Sequence, residues 1–390
     1  MTETTAAAEV GELQRPGQAA GGQAGLGRTG DFLLRSILPL VLALGTGAII
    51  LAAIGVDPIQ YYRDVYSGGV EFAAWQDTAM RVAPLLLIAV GLIVVFKAGI
   101  WNLGMDGQFL LAAAVIAGIG PRLEHHLPNT INLVLLFLVA GAVGAAWTIV
   151  PALLKARYEL NEIITTLMMS FIGINLAQIL VKGTFQDPST TTPQTRAFDF
   201  DALLQSFPGT ESMARRWPGI HVGLLIALAA AVVVWFLLSR TSFGLRLGVL
   251  GASVRSARHM GLDVPRLIVV AFLLSGMFVG FAAATEILGV KGYVRADWNP
   301  AFGLWVVPLV FLARLHAIGV IPYVVLLSLA SIGGDYAAQN AGLTPKFTLL
   351  LVGLTLLFMA LTEWIARRAE LGGSYLPGVS YRRQRAEGAG

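Results

Sequence analysis

The chain reads as an all-α protein that crosses a membrane about ten times, and three observations lead there. Hydrophobic residues fill 56% of 390 positions and charged residues only 13%, with a mean hydropathy of +0.72. A water-facing surface needs roughly a quarter charged residues. The apolar residues also run in continuous blocks of about 17–25, enough for a helix to cross roughly 30 Å of hydrocarbon, whereas a barrel strand would alternate. Finally, the basic residues are sided.

Ten spans are expected, at 34–55, 80–96, 100–119, 131–154, 162–181, 220–239, 267–290, 302–314, 317–333 and 346–366. The third carries Asn, Asp and Gln, and 302–333 reads equally as two short spans or as one span plus a re-entrant piece. With the N-terminus inside, inner segments carry 17 of the 27 Lys and Arg and outer segments carry 10. The excess of basic residues marks the cytoplasmic side, so both termini are expected there and the chain in the inner (plasma) membrane of a bacterial cell. Residues 1–30, rich in Ala, Gly, Gln and Thr, and residues 370–390, with Arg382, Arg383 and Arg385, read as disordered tails around a transmembrane domain at 31–369. Two outer segments, Gly55 to Thr78 and Gly183 to Pro218, read as polar connections, either a cap over the bundle or a contact for an outside partner.

Most enzyme chemistry is excluded. The chain has no cysteine, hence no disulfide, thiolate metal site or cysteine nucleophile. The five lysines (97, 155, 182, 291 and 346) follow Phe, Leu, Val, Val and Pro, so no Gly-Lys pair exists to build a phosphate-binding Walker loop. His125 and His126 lack HExxH spacing, and no Gly-x-Ser-x-Gly turn occurs. No catalytic residue, metal site or cofactor of its own, and no nucleic-acid partner, is expected. Transport is the natural function.

Four segments carry the remaining signal. Lys97 to Gln108 places Asn102, Asp106, Gln108 and three glycines between two apolar spans. Polar groups at such depth must be paired inside protein or line a cavity, so Asn102 and Gln108 either brace a helix break or meet a substrate. Tyr158 to Thr166 reads as a helix start, with Asn161 as cap and Glu162 in the positive first turn. In Leu274 to Glu286, Ser275, Gly276, Gly280 and Ala284 follow the small-xxx-small spacing of close helix pairs. Glu286 is an ionisable residue late in a span, a functional candidate or a structural bond. The fourth segment, Arg240 to Arg266, is a polar island with five arginines, a histidine and glycines at 248, 251 and 261. Its arginines read as ordinary headgroup anchors or, with Ala257 and Met260 on one face of a short helix, as a handle for a groove on a soluble partner.

In this order the four segments resemble the permease subunits of bacterial ABC importers of the ribose/nucleoside branch, and most of all the purine-nucleoside permeases. The resemblance rests on Gly99 to Gln108 (Asp106 where Glu is usual), Asn161 to Thr166, Ser275 through Glu286 to Gly289, and Gly251 to Leu262 (with Arg258 and His259), and it spans roughly 80–365. It implies the ABC importer permease fold and pairing with a second permease, the same chain or a related one. It also implies cytoplasmic ATPase subunits that use ATP and a lipid-anchored substrate-binding protein outside. The segment about 246–262, with Gly251, Ala252, Ser253, Arg255, Ala257, Arg258 and Gly261, resembles the coupling helix that docks on the ATPase. A polar path from Asn102, Asp106, Gln108 and Glu286 is then expected, with Trp101, Phe109 or Phe171 stacking on a base. A pentose or hexose permease of the same branch is the nearest alternative. An ion-coupled secondary transporter would need related halves with paired intramembrane acids, and no convincing internal repeat is present.

Overall fold

The structure is a computed structural model that describes residues 24–71, 74–124, 126–199, 203–204 and 220–344, with helical residues scattered over 347–362. The expected tails lie outside the described residues apart from 24–30, as do His125, the stretch 205–219 and Arg382 to Arg385. Two units are distinguished, Thr46–Leu354 and a smaller one of Met1–Gly45 with Thr355–Gly390. Among the described residues thirteen α-helices are assigned. They are α1 (Ala24–Ala53), α2 (Pro58–Val70), α3 (Ala74–Lys97), α4 (Met105–Leu123), α5 (Asn129–Trp147), α6 (Ile149–Tyr158), α7 (Glu162–Lys182), α8 (Val222–Arg240), α9 (Ser242–Ala252), α10 (Val254–His259), α11 (Val264–Glu286), α12 (Phe302–Leu312) and α13 (Ile321–Asn340). A π-helical turn, Ile287–Lys291, continues α11.

The all-α class holds, while ten spans are not counted among the described residues, which take in only part of the expected tenth, 346–366. Among the described residues, six helices are long and apolar enough to cross a membrane: α3, α5 with α6, α7, α8, α11 with its π turn, and α13. A seventh arises if Ile37–Ala53 and Pro58–Val70, which meet at 119°, form one broken span. Hydropathy counts apolar runs without knowing whether lipid or protein covers them. The expected third span is α4, wrapped almost wholly in protein and polar in its first turn. The eighth is α12, whose eleven residues rise about 17 Å, half of the hydrocarbon. It ends in a turn with Arg314 and Leu315 both left-handed, and α13 follows. The region 302–333 is thus a short helix plus one span. The polar connection expected over Gly55–Thr78 instead contains α2, capped by Asp57, whose Oδ1 accepts from the Ile59 amide at 2.9 Å.

Helices meet where side chains are missing, because lipid gives apolar surfaces no reason to associate and close backbone packing must serve instead. A Cβ on Gly280 would lie 2.0 Å from the Ala140 carbonyl oxygen, and one on Gly276 2.4 Å from that of Gly144. This α5–α11 crossing is the one the small-xxx-small spacing foretold. Gly107 likewise meets Ser170 where α4 crosses α7, and Gly333 meets Val65 where α13 crosses α2.

The described part of the long connection after α7 forms a cap. The Thr195 amide donates to the Val294 carbonyl (2.9 Å), and the Phe198 amide donates to Gly292 (2.9 Å). The rings of Phe185 and Phe198 fill the space above Gly118 and Gly120 of α4. At the start of α8, His221 caps the helix by accepting from the Gly223 amide through Nδ1 at 3.0 Å, and its ring lies on Gly289. Burial pushes this imidazole down to about 4.

Gly280→Val should drive α11 off α5 and destabilise the protein by about 1–3 kcal/mol, read as detergent-solution melting. Gly45→Ala, with open space around it, should leave the melting point in place. The His221 imidazole is neutral when folded, whereas an unfolded one protonates near 6.5. Its contribution is therefore complete above about pH 6.5 and fades as pH falls toward 4, by about 3 kcal/mol in all. His221→Asn, which keeps a capping oxygen, should flatten that part of the stability–pH curve.

Candidate functional site

The chain leaves α3 at Lys97 and re-enters a helix only at Met105, and this break is where the four sequence segments converge. Gly99 sits at φ +71°, in the left-handed region open to glycine. Asn102 and Gln108 are both fully buried and answer each other. The Gln108 Nε2 donates to Asn102 Oδ1 at 3.0 Å, and Asn102 Nδ2 donates to Gln108 Oε1 at 3.3 Å and to Ser275 Oγ of α11 at 3.0 Å. The Gly104 amide, free at the start of α4, donates to Asn102 Oδ1 at 3.1 Å. From α7, Thr166 Oγ1 accepts from the Leu103 amide (3.1 Å) and Ser170 Oγ accepts from the Gly107 amide (3.0 Å). Of the two readings open for the amides, bracing is the one their bonds satisfy.

The polar island joins the same knot. It holds two helices, α9 and α10, with an elbow at Ser253, whose Oγ accepts from the Ser256 amide at 3.1 Å. At the end of α9, a Cβ on Gly251 would lie 2.3 Å from the Lys97 carbonyl oxygen, and one on Gly99 3.1 Å from Gly251 Cα. Backbone thus rests on backbone. Gly261, at φ +72°, closes α10, with the Leu262 amide donating to the Ala257 carbonyl at 3.1 Å. One expectation is corrected here: Ala257 is buried, packed inward, while Val254, Arg255 and Met260 face out. Met260 lies just past the last residue of α10, as its C-cap, so the spacing of three that would put it on the Ala257 face does not apply. Gly251, Ala252 and Arg258 are exposed.

Arg258 reaches the segment around the start of α7 and pairs with Glu159, whose carboxyl this guanidinium holds below the usual range. Lys155 Nζ lies 2.7 Å from Glu162, and the Asn161 side chain accepts from the Ile163 amide at 2.9 Å, as its capping role requires.

Asp106 links the break to α12. Its Oδ1 accepts from the Gly303 amide at 2.9 Å, at the start of a helix whose own cap residue, Ala301, offers no side-chain bond. Phe109 packs edge-on against Phe302 at 5.6 Å and near Trp298 at 6.0 Å. Trp101 joins Phe96 (4.9 Å) and Phe311 (5.5 Å), so both ends of α12 are clamped by aromatic rings. Phe171 is exposed on the surface of α7, away from these rings.

Glu286 lies apart from the amides, buried at the end of α11, with Arg81 Nη1 of α3 at 3.7 Å. The Arg81 guanidinium sits 5.0 Å above the Phe302 ring. Arg81, Phe302, Trp305 and Asp335 were not singled out from the sequence. The signal was there in Arg81, a cation inside an apolar span, but the hydropathy boundary at residue 80 left it looking like a flank.

Residues 75–360 match the family described as branched-chain amino acid transport system / permease component. The glucose ABC transporter permease protein TsgB13 of Haloferax volcanii is 30% identical over 339 residues, covering 85% of this chain and 88% of its own length. The guanosine ABC transporter permease protein NupP of Bacillus subtilis is 27% identical over 330 residues, covering 84% and 93%. The galactofuranose transporter permease protein YtfT of Escherichia coli is 23% identical over 245 residues, covering 63% and 64%. The matched stretch contains the interhelical break, the glycine contact beneath it and every residue bonded around them, and the chain therefore belongs to this family of multi-pass ABC transporter permeases.

Proposed function

We propose that this chain is the membrane subunit of an ATP-driven importer that translocates a nucleoside, purine nucleosides foremost, handed over by an extracytoplasmic lipoprotein receptor. In this reading both termini and the α9–α10 segment face the cytoplasm. A separate ATPase grips the exposed face of α10 through Val254, Arg255 and Met260, and a second permease, identical or related, completes the pore. The chain itself holds no cofactor.

The observation that carries the reading is the contact of Gly251 with the Lys97–Gly99 turn. A displacement of α9–α10 meets backbone immediately, with no side chain to absorb it. Beyond that turn lie the Asn102–Gln108 pair, Asp106 and, through the Gly303 amide, α12. Alternating access then consists of ATP-driven closure pulling α10, shifting the break and tilting α12 against α3. The amides Asn102 and Gln108 hold the break together and act on the substrate through α12, while Phe109 and Glu286 stand nearer the passage.

Nucleoside as cargo is supported by the guanosine relative and by the aromatic set Phe109, Trp298, Phe302 and Trp305. A sugar is the second reading, favoured by the glucose relative at 30% identity.

Two measurements test this. Val254→Glu and Met260→Glu place a charge on the outward face of α10 and should weaken co-purification of the ATPase about tenfold, as for a charge buried unpaired at an interface, without altering the melting point. Ala257→Glu should instead unfold the segment. Uptake of radiolabelled guanosine in cells should cease when ATP is depleted; uptake that persists would identify an ion-coupled carrier.

A further inference from the structure

We infer that Glu286, Arg81, Phe302 and Trp305 form the subsite that holds the hydroxyl-bearing ring of the cargo during passage. The inference deepens the importer reading and rests on it.

Two buried polar atoms here have no hydrogen-bond partner: Glu286 Oε1, an acceptor, and Trp305 Nε1, a donor. Arg81 does not satisfy the carboxylate oxygen, since 3.7 Å is beyond hydrogen-bond reach. Leaving such atoms unpaired in a dry interior is unfavourable, and native proteins rarely do so without a reason. The two are linked through Phe302 and Arg81. Trp305 stands edge-on to Phe302 at 6.2 Å, and Arg81, beside Glu286, lies over that same ring at 5.0 Å.

The chemistry of the missing partner follows from the pair. It must donate to a carboxylate, accept from an indole N–H and lay apolar surface against Phe302. A hydroxyl does both kinds of bonding at once, and a furanose or pyranose ring supplies two hydroxyls on a partly apolar frame. A phosphate does not fit, because its oxygens are acceptors and Glu286 Oε1 needs a donor. The site therefore takes the sugar half of a nucleoside, or a free sugar, and rejects a nucleotide.

The test uses the assembled transporter in cells, with uptake of guanosine and of 2′,3′-dideoxyguanosine measured for the wild type, Glu286→Gln and Trp305→Phe. Each variant should lower guanosine uptake about tenfold, the effect of losing one hydrogen bond to a charged or buried group. Dideoxyguanosine uptake should change less than about twofold. A parallel fall for both compounds, or no fall for either, overturns the subsite and reduces the cluster to a structural one. Failure of the importer reading looks different. If the wild type takes up glucose and no nucleoside, the cargo assignment is wrong, and the same variants are scored on glucose against 2-deoxyglucose. GMP should not compete with guanosine; competition by GMP also overturns the proposal.

Discussion

A polypeptide that leaves a helix inside a protein interior must satisfy, from within the protein, the N–H and C=O groups set free there. Here this requirement is met by two side-chain amides that face each other. Asn102 and Gln108 each have donors and an acceptor, so the pair closes on itself and still has an oxygen for the Gly104 amide and a donor for Ser275. Thr166 and Ser170 serve two more backbone amides from α7. Take this away and α3, α4, α7 and α11 lose the one point they share. The glycines around it serve the same end, since each side chain omitted lets another backbone come within bonding or contact distance.

How much of this was legible in the sequence depends on which physical signal each residue leaves. Asn161, Gly276 and Gly280 were readable, because a cap and a small-residue crossing are local patterns with one geometric solution. Asn102 and Gln108 were recognisable as partners to something, but not to each other, since an amide bonds a backbone, another amide or a cargo equally well. The expected spans differ at α4 and α12 for two separate reasons: α4 carries Asp106 and Gln108 in its first turn, and α12 is too short to cross. Ala257 failed because a six-residue helix gives too little periodicity to tell its inner face from its outer. Phe302 and Trp305 left no signal among the many aromatics of a membrane chain. They gain meaning only from Arg81 and Glu286, which arrive from helices far away in sequence.

The charges follow a similar division. At α10, Arg258 is held to Glu159 from the neighbouring turn, so the two water-exposed segments are tied by a bond that salt can screen. Near Glu286 the attraction between Arg81 and the carboxylate runs through a protein interior, where screening is weak and geometry decides the outcome. The same kinds of group thus give an exposed pair in one place and a largely buried one in the other.

The crossing of α5 and α11 has one more consequence. Where Ala140 and Gly144 face Gly276 and Gly280, backbone touches backbone, and beside that contact the Phe281 ring of α11 lies over Gly141 of α5. Two rods joined in this way resist separation, because close contact is lost at once, and they resist sliding, because the ring would have to leave the gap the glycine provides. The α5–α11 pair is thus locked both across and along its axes.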